Sequence, residues 1–252
     1  MKTKRKIAWI TGGGTGIGKS LAIMLSKNNW KVVISGRRVA KLNEVKSFNP
    51  KNISVQILDI GSEKDCRKAV KRIESNYGFI DLVILNAAAY NPGRLDFEKL
   101  DIIKNVININ LNGQINCLGA CLPTMKKKKS GHVVFVSSPA GFRGLPNAGI
   151  YGVTKSALTF LSECLYLELK RYNIKVQVVL PGFIKTPMTD KNDFPMPFLM
   201  TADKAAAIII ENLNTERFEI SFPKRLILTM KIMNVLPHRL YFFLINKFLG
   251  KF

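Results

Sequence analysis

The sequence predicts an α/β fold in a chain of 252 residues: a doubly wound parallel sheet with helices on both faces. Apolar runs alternate with helical patterns along most of the chain. The runs are near-continuous, as strands covered on both faces require. A glycine-rich turn, Thr11-Gly-Gly-Gly-Thr-Gly-Ile-Gly18, separates the first run from the first helical pattern. Strand–helix alternation of this kind builds a parallel sheet through right-handed crossovers.

The elements follow in order. Lys6–Thr11 reads as a strand and Gly16–Asn28 as a helix. Strands at Lys31–Ser35 and Ser54–Asp59 flank a helical stretch at Ala40–Phe48. Glu63–Tyr77 is helical, Leu82–Asn86 a strand, and Phe97–Lys128 mostly one long helix. The run Lys126–Lys129 solvates that helix end, where cations complement the dipole. Gly131–Ser137 reads as a strand, Tyr151–Tyr172 as a helix and Lys175–Leu180 as a strand. Residues 186–201 hold Pro187, Pro195 and Pro197 with Met188, Met196 and Met200, the composition of a mobile apolar lid. Ala202–Leu213 returns to helix and Phe218–Phe222 is a last strand. One domain is expected over residues 1–222, with 223–252 as a basic, apolar helical extension.

Composition narrows the function classes. The chain is 47% hydrophobic, enough for a sizeable core. No apolar run reaches the roughly 18 residues of a membrane span, and no signal peptide is read at the basic start. A cytoplasmic setting is expected. Cys66, Cys117, Cys121 and Cys164 show neither a metal-ligand nor a disulfide framework, and Cys117 and Cys121 fit packing on one helix face. Net charge is +22, from 39 Lys+Arg against 17 Asp+Glu. Such charge favours nucleic acid or anionic lipid, but the lysine richness is chain-wide. No nucleic-acid motif accompanies it, and no nucleic-acid partner is expected.

The glycine turn is the candidate cofactor site. Gly12 allows the tight turn, and Gly16 and Gly18 allow close approach of a pyrophosphate and of helix to strand. The phosphate then meets free N–H groups at the helix start. Gly14, Thr15 and Ile17 share the turn. After the second strand come Arg37 and Arg38, where an acidic residue would suit the ribose hydroxyl of NAD. Guanidinium groups suit a 2′-phosphate, so NADP(H) is favoured over NAD(H). Asp59, next to Ile60, fits either an adenine contact or a cap near Ser62.

The candidate chemical site is Tyr151-Gly-Val-Thr-Lys155 with Ser138. Tyrosine and lysine at i and i+4 share a helix face. A lysine cation favours the phenolate and is expected to lower the tyrosine pKa from about 10. Ser138 would polarise a carbonyl while Tyr151 moves the proton.

With Asn86-Ala87, Asn110…Gly113 and Pro181-Gly182…Thr186, these motifs resemble the short-chain dehydrogenase/reductase family in its form of about 250 residues. The resemblance spans nearly three-quarters of the chain. It implies a seven-stranded Rossmann sheet and catalytic residues Asn110, Ser138, Tyr151 and Lys155. It also implies that Asn110 helps hold a water linking Lys155 to solvent, and that Lys155 bonds the nicotinamide ribose. Pro181, Gly182, Ile184 and Thr186 would meet the carboxamide side of the cofactor. Two departures stand out. Ala88 replaces the usual glycine after the fourth strand, and a basic tail replaces the usual glycine-pair ending. The second casts doubt on a tetramer and leaves a homodimer through the helices near Phe97–Lys128 and Tyr151–Tyr172.

Ala140, Phe142, Leu145, Phe183 and Met188, with Ser138 and Tyr151, are candidate substrate contacts; Ile184, Phe194, Phe198 and Met200 extend the set. This apolar group suits a hydrophobic carbonyl or alcohol. The expected activity is an NADP(H)-dependent carbonyl/alcohol oxidoreductase. The alternatives are a non-catalytic cofactor-binding protein or a membrane-surface protein on the same fold. The tail, with Tyr241, Phe242, Phe243, Phe248 and Phe252 among lysines, fits a peripheral membrane anchor, a cap over the site, or a subunit interface.

Overall fold

The computed structural model describes residues 5–249. Most of the basic start, and Lys251 and Phe252 of the tail, lie outside the described residues. The first half runs β1 (Ile7–Thr11), α1 (Gly16–Lys27), β2 (Lys31–Gly36), α2 (Val39–Ser47), β3 (Ile53–Ile57), α3 (Glu63–Tyr77), β4 (Leu82–Leu85). It continues through α4 (Leu100–Ile107), a π-helical turn at Asn108–Asn112, α5 (Gly113–Lys128), β5 (Gly131–Val136) and α6 (Gly149–Leu169). Then come β6 (Ile174–Pro181), β7 (Ile184–Lys185), β8 (Met200–Thr201), α7 (Ala202–Leu213), β9 (Glu219–Phe222), α8 (Lys224–Val235) and α9 (His238–Leu249).

Seven strands form one parallel sheet in the order β3-β2-β1-β4-β5-β6-β9. Every residue of β1 and β4 is buried, which explains their uninterrupted apolar sequence. Successive side chains enter opposite layers. Trp9, Val83 and Phe135 pack with Val70 of α3, Cys117 of α5 and Leu158 of α6. Ile10, Ile34 and Ile84 pack on the other face with Leu21 and Leu25 of α1 and Ile209 of α7. Cys66 and Cys117 meet at 3.7 Å as buried free thiols in the first layer. Strand order reverses between β1 and β4, and the crevice beyond their carboxyl ends is where such sheets receive ligands.

Four features depart from the sequence expectation. The long helix begins at Leu100, leaving Phe97 exposed ahead of it, and the π turn interrupts it. β3 ends at Ile57, so Leu58 and Asp59 lie beyond the sheet. The lid segment is tethered: β8 pairs with β7, and the Met200 N–H donates to the Phe183 carbonyl at 2.9 Å. At its middle, the Tyr90 hydroxyl donates to Asn192 Oδ1 at 2.8 Å.

The tail is docked on the loop that follows β5. Arg143 Nη1 donates to the carbonyls of Met233, Asn234 and Leu236 at 2.9, 3.1 and 2.6 Å, closing the end of α8. Its guanidinium lies 4.0 Å from the centre of the Tyr241 ring. Tyr241 is buried, and its hydroxyl donates to the Gly144 carbonyl at 2.6 Å. No helix among the described residues is long and apolar enough to cross a membrane.

Candidate functional site

The turn between β1 and α1 floors a cleft of about 310 Å³ at the switch point. Gly12 has φ +68° and Gly16 φ +54°, both in the region that favours glycine. A Cβ on Gly18 would overlap the Gly12 carbonyl, so that glycine lets α1 meet the turn. The turn is braced from β4. Asn86 Nδ2 donates to the Thr11 and Gly12 carbonyls at 3.0 and 3.2 Å, and the Asn86 and Ala87 N–H groups both donate to Thr11 Oγ1. Thr15 caps α1 without a side-chain bond, and the first turn of α1 carries no acid. Its leading N–H groups suit an anion. Ala88, in the glycine's usual place, has no positive φ and therefore no backbone strain.

Gly12, Gly14, Thr15, Gly16 and Ile17 line the cleft, with Arg37, Arg38, Asp59 and Ile60 at one end. Arg38 Nη2 donates to Thr15 Oγ1 at 3.2 Å, and Arg37 Nη1 lies 3.8 Å from Asp59 Oδ2. Asp59 Oδ1 accepts from the Gly61 N–H, whereas the cap of α3 is Ser62. Asn86, Ala87, Pro181, Gly182, Ile184, Thr186 and Met188 complete the middle of the wall.

Ser138, Tyr151 and Lys155 line the other end of the same cleft. The end of β5 presents Ser138, whose Oγ accepts from the Ala140 N–H at 3.2 Å. Beside it, Ser137 Oγ donates to the Lys155 carbonyl at 2.8 Å, fixing α6 to β5. Lys155 is buried, its Nζ donating to the Val136 carbonyl at 2.8 Å and lying 5.5 Å from the Tyr151 ring centre. Burial lowers its pKa to about 8.

Tyr151 departs from expectation. Burial pushes its phenol up to about 12, against the smaller pull of its hydrogen bond with Ser138; Tyr90 adds to the rise. The lowering expected from Lys155 is absent, and desolvation of the phenolate dominates. Asn110 stands behind the cleft, fully buried in the π turn. Its Oδ1 accepts from the Ala89 N–H at 2.6 Å, and its Nδ2 donates to the Ala89 carbonyl and Thr154 Oγ1 at 2.9 and 3.1 Å. Thr154 Oγ1 in turn donates to the Tyr151 carbonyl at 2.8 Å. Asn110 is thus a positioning residue in this geometry, linking the loop after β4 to α6.

Several candidate substrate contacts do not line this cleft. Phe142 packs against the core, with Lys231 Nζ 6.0 Å from its ring centre. Phe183 meets Phe194 of the lid segment edge-on, ring centres 6.0 Å apart. Ala140 and Leu145, like these two, are not among the residues lining the cleft. Phe198 and Met200 line a separate depression beside β9. Ile184 is core as well as wall. Sequence reasoning did not single out Tyr90, whose ring meets Tyr151 edge-on at 4.9 Å, nor Arg143. Only its place after the fourth strand hinted at Tyr90.

A family model described as short chain dehydrogenase matches residues 6–195. The chain belongs to the short-chain dehydrogenase family. Curated relatives agree with that family. An uncharacterized oxidoreductase of Myxococcus xanthus is 32% identical over 242 residues, covering 94% of each chain. Another, from Staphylococcus epidermidis, is 31% identical over 193 residues, covering 77% of this chain and 84% of its own. Among solved structures, ElxO with NADP bound superposes with a TM-score of 0.77 at 29% identity, over 86% of this chain and 97% of its own. A short-chain dehydrogenase from Streptomyces avermitilis gives a TM-score of 0.80 at 23% identity, over 92% and 94%, and shares the fold.

Proposed function

We propose that this oxidoreductase uses NADP(H) to interconvert a carbonyl and an alcohol on a hydrophobic small molecule. One observation carries the reading: Ser138, Tyr151 and Lys155 line the same cleft as the glycine turn and the two arginines. The turn's positive-φ glycines and the uncapped start of α1 fit a dinucleotide pyrophosphate. Arg37 and Arg38, at the far end, fit a 2′-phosphate. ElxO, at 29% identity, has been solved with NADP bound.

Bound there, the nicotinamide would supply or accept the hydride. The chain's own residues handle oxygen and proton. Ser138 Oγ donates to the substrate oxygen and orients it. Tyr151, held protonated by burial, gives its proton to that oxygen as negative charge develops. Lys155, a cation at neutral pH with a pKa of about 8, stabilises the phenolate left behind. Asn110, through Thr154, holds the start of α6 so that Tyr151 faces the cleft. Oxidation runs the same steps backwards.

The working unit is a homodimer. Val153, Phe160 and Leu167 form an exposed stripe along α6 at seven-residue spacing, with Ile115 of α5 also exposed. We place the protein in the cytoplasm.

The deciding experiment is Tyr151→Phe assayed against a graded series of aldehydes and ketones with NADPH. Turnover should fall at least about 100-fold while NADPH still quenches protein fluorescence as in wild type. Full activity in the variant refutes the mechanism. Cofactor binding with no turnover of any carbonyl by wild type favours the non-catalytic reading.

A further inference from the structure

We propose that α8 and α9 dock the protein on an anionic lipid bilayer. Their buried side is already used: Ile227 and Tyr241 are buried, and Arg143 holds the turn between the helices. Their outer side is unusually apolar. Leu228, Ile232 and Val235 follow one another at helical spacing on α8, Phe242 and Phe243 are exposed next to each other on α9, and Phe248 is exposed near the end of that helix. Val235 is 80% exposed and Phe248 74%, so most of each residue faces solvent. Isolated exposed apolar residues are ordinary, but a run of them within one docked unit marks an interaction surface.

Charge selects the partner. From Ile220 to the end the sequence contains no Asp or Glu. Lys231 is paired with Glu219 at 2.7 Å. No ion pair among the described residues engages Arg225, Arg239 or Lys247. Lys247 instead lies 6.0 and 5.9 Å from the Phe243 and Phe248 ring centres, a cation between aromatic side chains. A second copy of this face is a poor partner, since a two-fold contact would oppose cation to cation. An anionic headgroup layer above an apolar interior matches both features. Each helix has 12 residues. That is about 18 Å of helix against a hydrocarbon core of about 30 Å, so the pair lies along the surface and does not span it.

The test uses the full-length protein and flotation with phosphatidylcholine vesicles, with and without phosphatidylglycerol. Wild type should float with the anionic vesicles and stay behind with the neutral ones, and salt should weaken the binding. The variant F242S/F243S/F248S should bind at least about 10-fold more weakly. R225E/R239E/K247E should lose about 100-fold or more. Unchanged circular dichroism and NADPH quenching will show both variants folded. Failure of wild type to float, or binding by either variant as tight as wild type's, overturns the proposal. So does self-association that the phenylalanine variant abolishes while vesicle binding is absent, which would make the face a subunit interface. Binding to duplex DNA in place of vesicles overturns it as well.

Discussion

Lys155 donates from Nζ to the Val136 carbonyl at 2.8 Å, and burial holds its pKa at about 8 instead of 10.5. Between those values the unfolded lysine keeps its proton while the folded one has released it. The unfolded state then binds more protons, so stability rises with pH across the window. Below it both states are charged, and the full cost of about 3 kcal/mol is present. Comparing melting temperatures of wild type and Lys155→Met, wild type should gain on the variant from pH 7 to pH 10. A gap that does not move with pH contradicts the lowered lysine.

The proposed preference for NADP(H) rests on Arg37 and Arg38, which line one end of the cleft. Arg38 is already oriented by Thr15 Oγ1, and Arg37 is offset by Asp59. Replacing either with alanine should weaken NADPH binding about 10- to 100-fold, the worth of a hydrogen bond to a charged group. NADH binding should barely change. Titration of fluorescence quenching with both nucleotides measures this; equal losses for the two would place the arginines outside phosphate recognition.

Arg143 joins the tail to the loop carrying Ser138. Removing it strips three carbonyls at the end of α8 of a donor and uncovers the Tyr241 ring. Arg143→Ala should cost about 1–3 kcal/mol and speed proteolysis near Leu236. Lysine should not restore the protection, because an ammonium lacks the planar fork. Limited proteolysis of the three proteins decides it; matching cleavage rates would mean the tail is held by other contacts.

Phe160 is 70% exposed in the middle of α6. In the proposed homodimer this residue sits in the interface, and Phe160→Glu should then sediment as a monomer, with secondary structure unchanged. A wild-type monomer would remove the basis for the expected interface.

Much of this was legible in the sequence because it depends on neighbours along the chain. Ala202–Leu213 is a helix to the residue, and β1, β2 and β5 fall within a residue of their apolar runs. The glycine turn and the Tyr151–Lys155 spacing likewise carry their own geometry. What escaped depends on distant segments meeting. The Arg143 clamp joins residues some ninety positions apart. The direction of the Tyr151 shift depends on burial, which a local spacing does not contain. Phe142 and Phe183 have the composition of pocket residues, but composition does not say which side chains line a given cleft.

The π turn at Asn108–Asn112 has one further effect. A π turn carries one residue more than an α turn. Every side chain after it is rotated by about 100° from the setting an unbroken helix would give. The segment acts as a phase shifter between α4 and α5, and it places Asn110 inward while Cys117 and Cys121 still meet the core. Substitutions of similar size keep that phase, whereas a single-residue deletion resets it. Tolerance in this stretch is therefore a matter of length before identity.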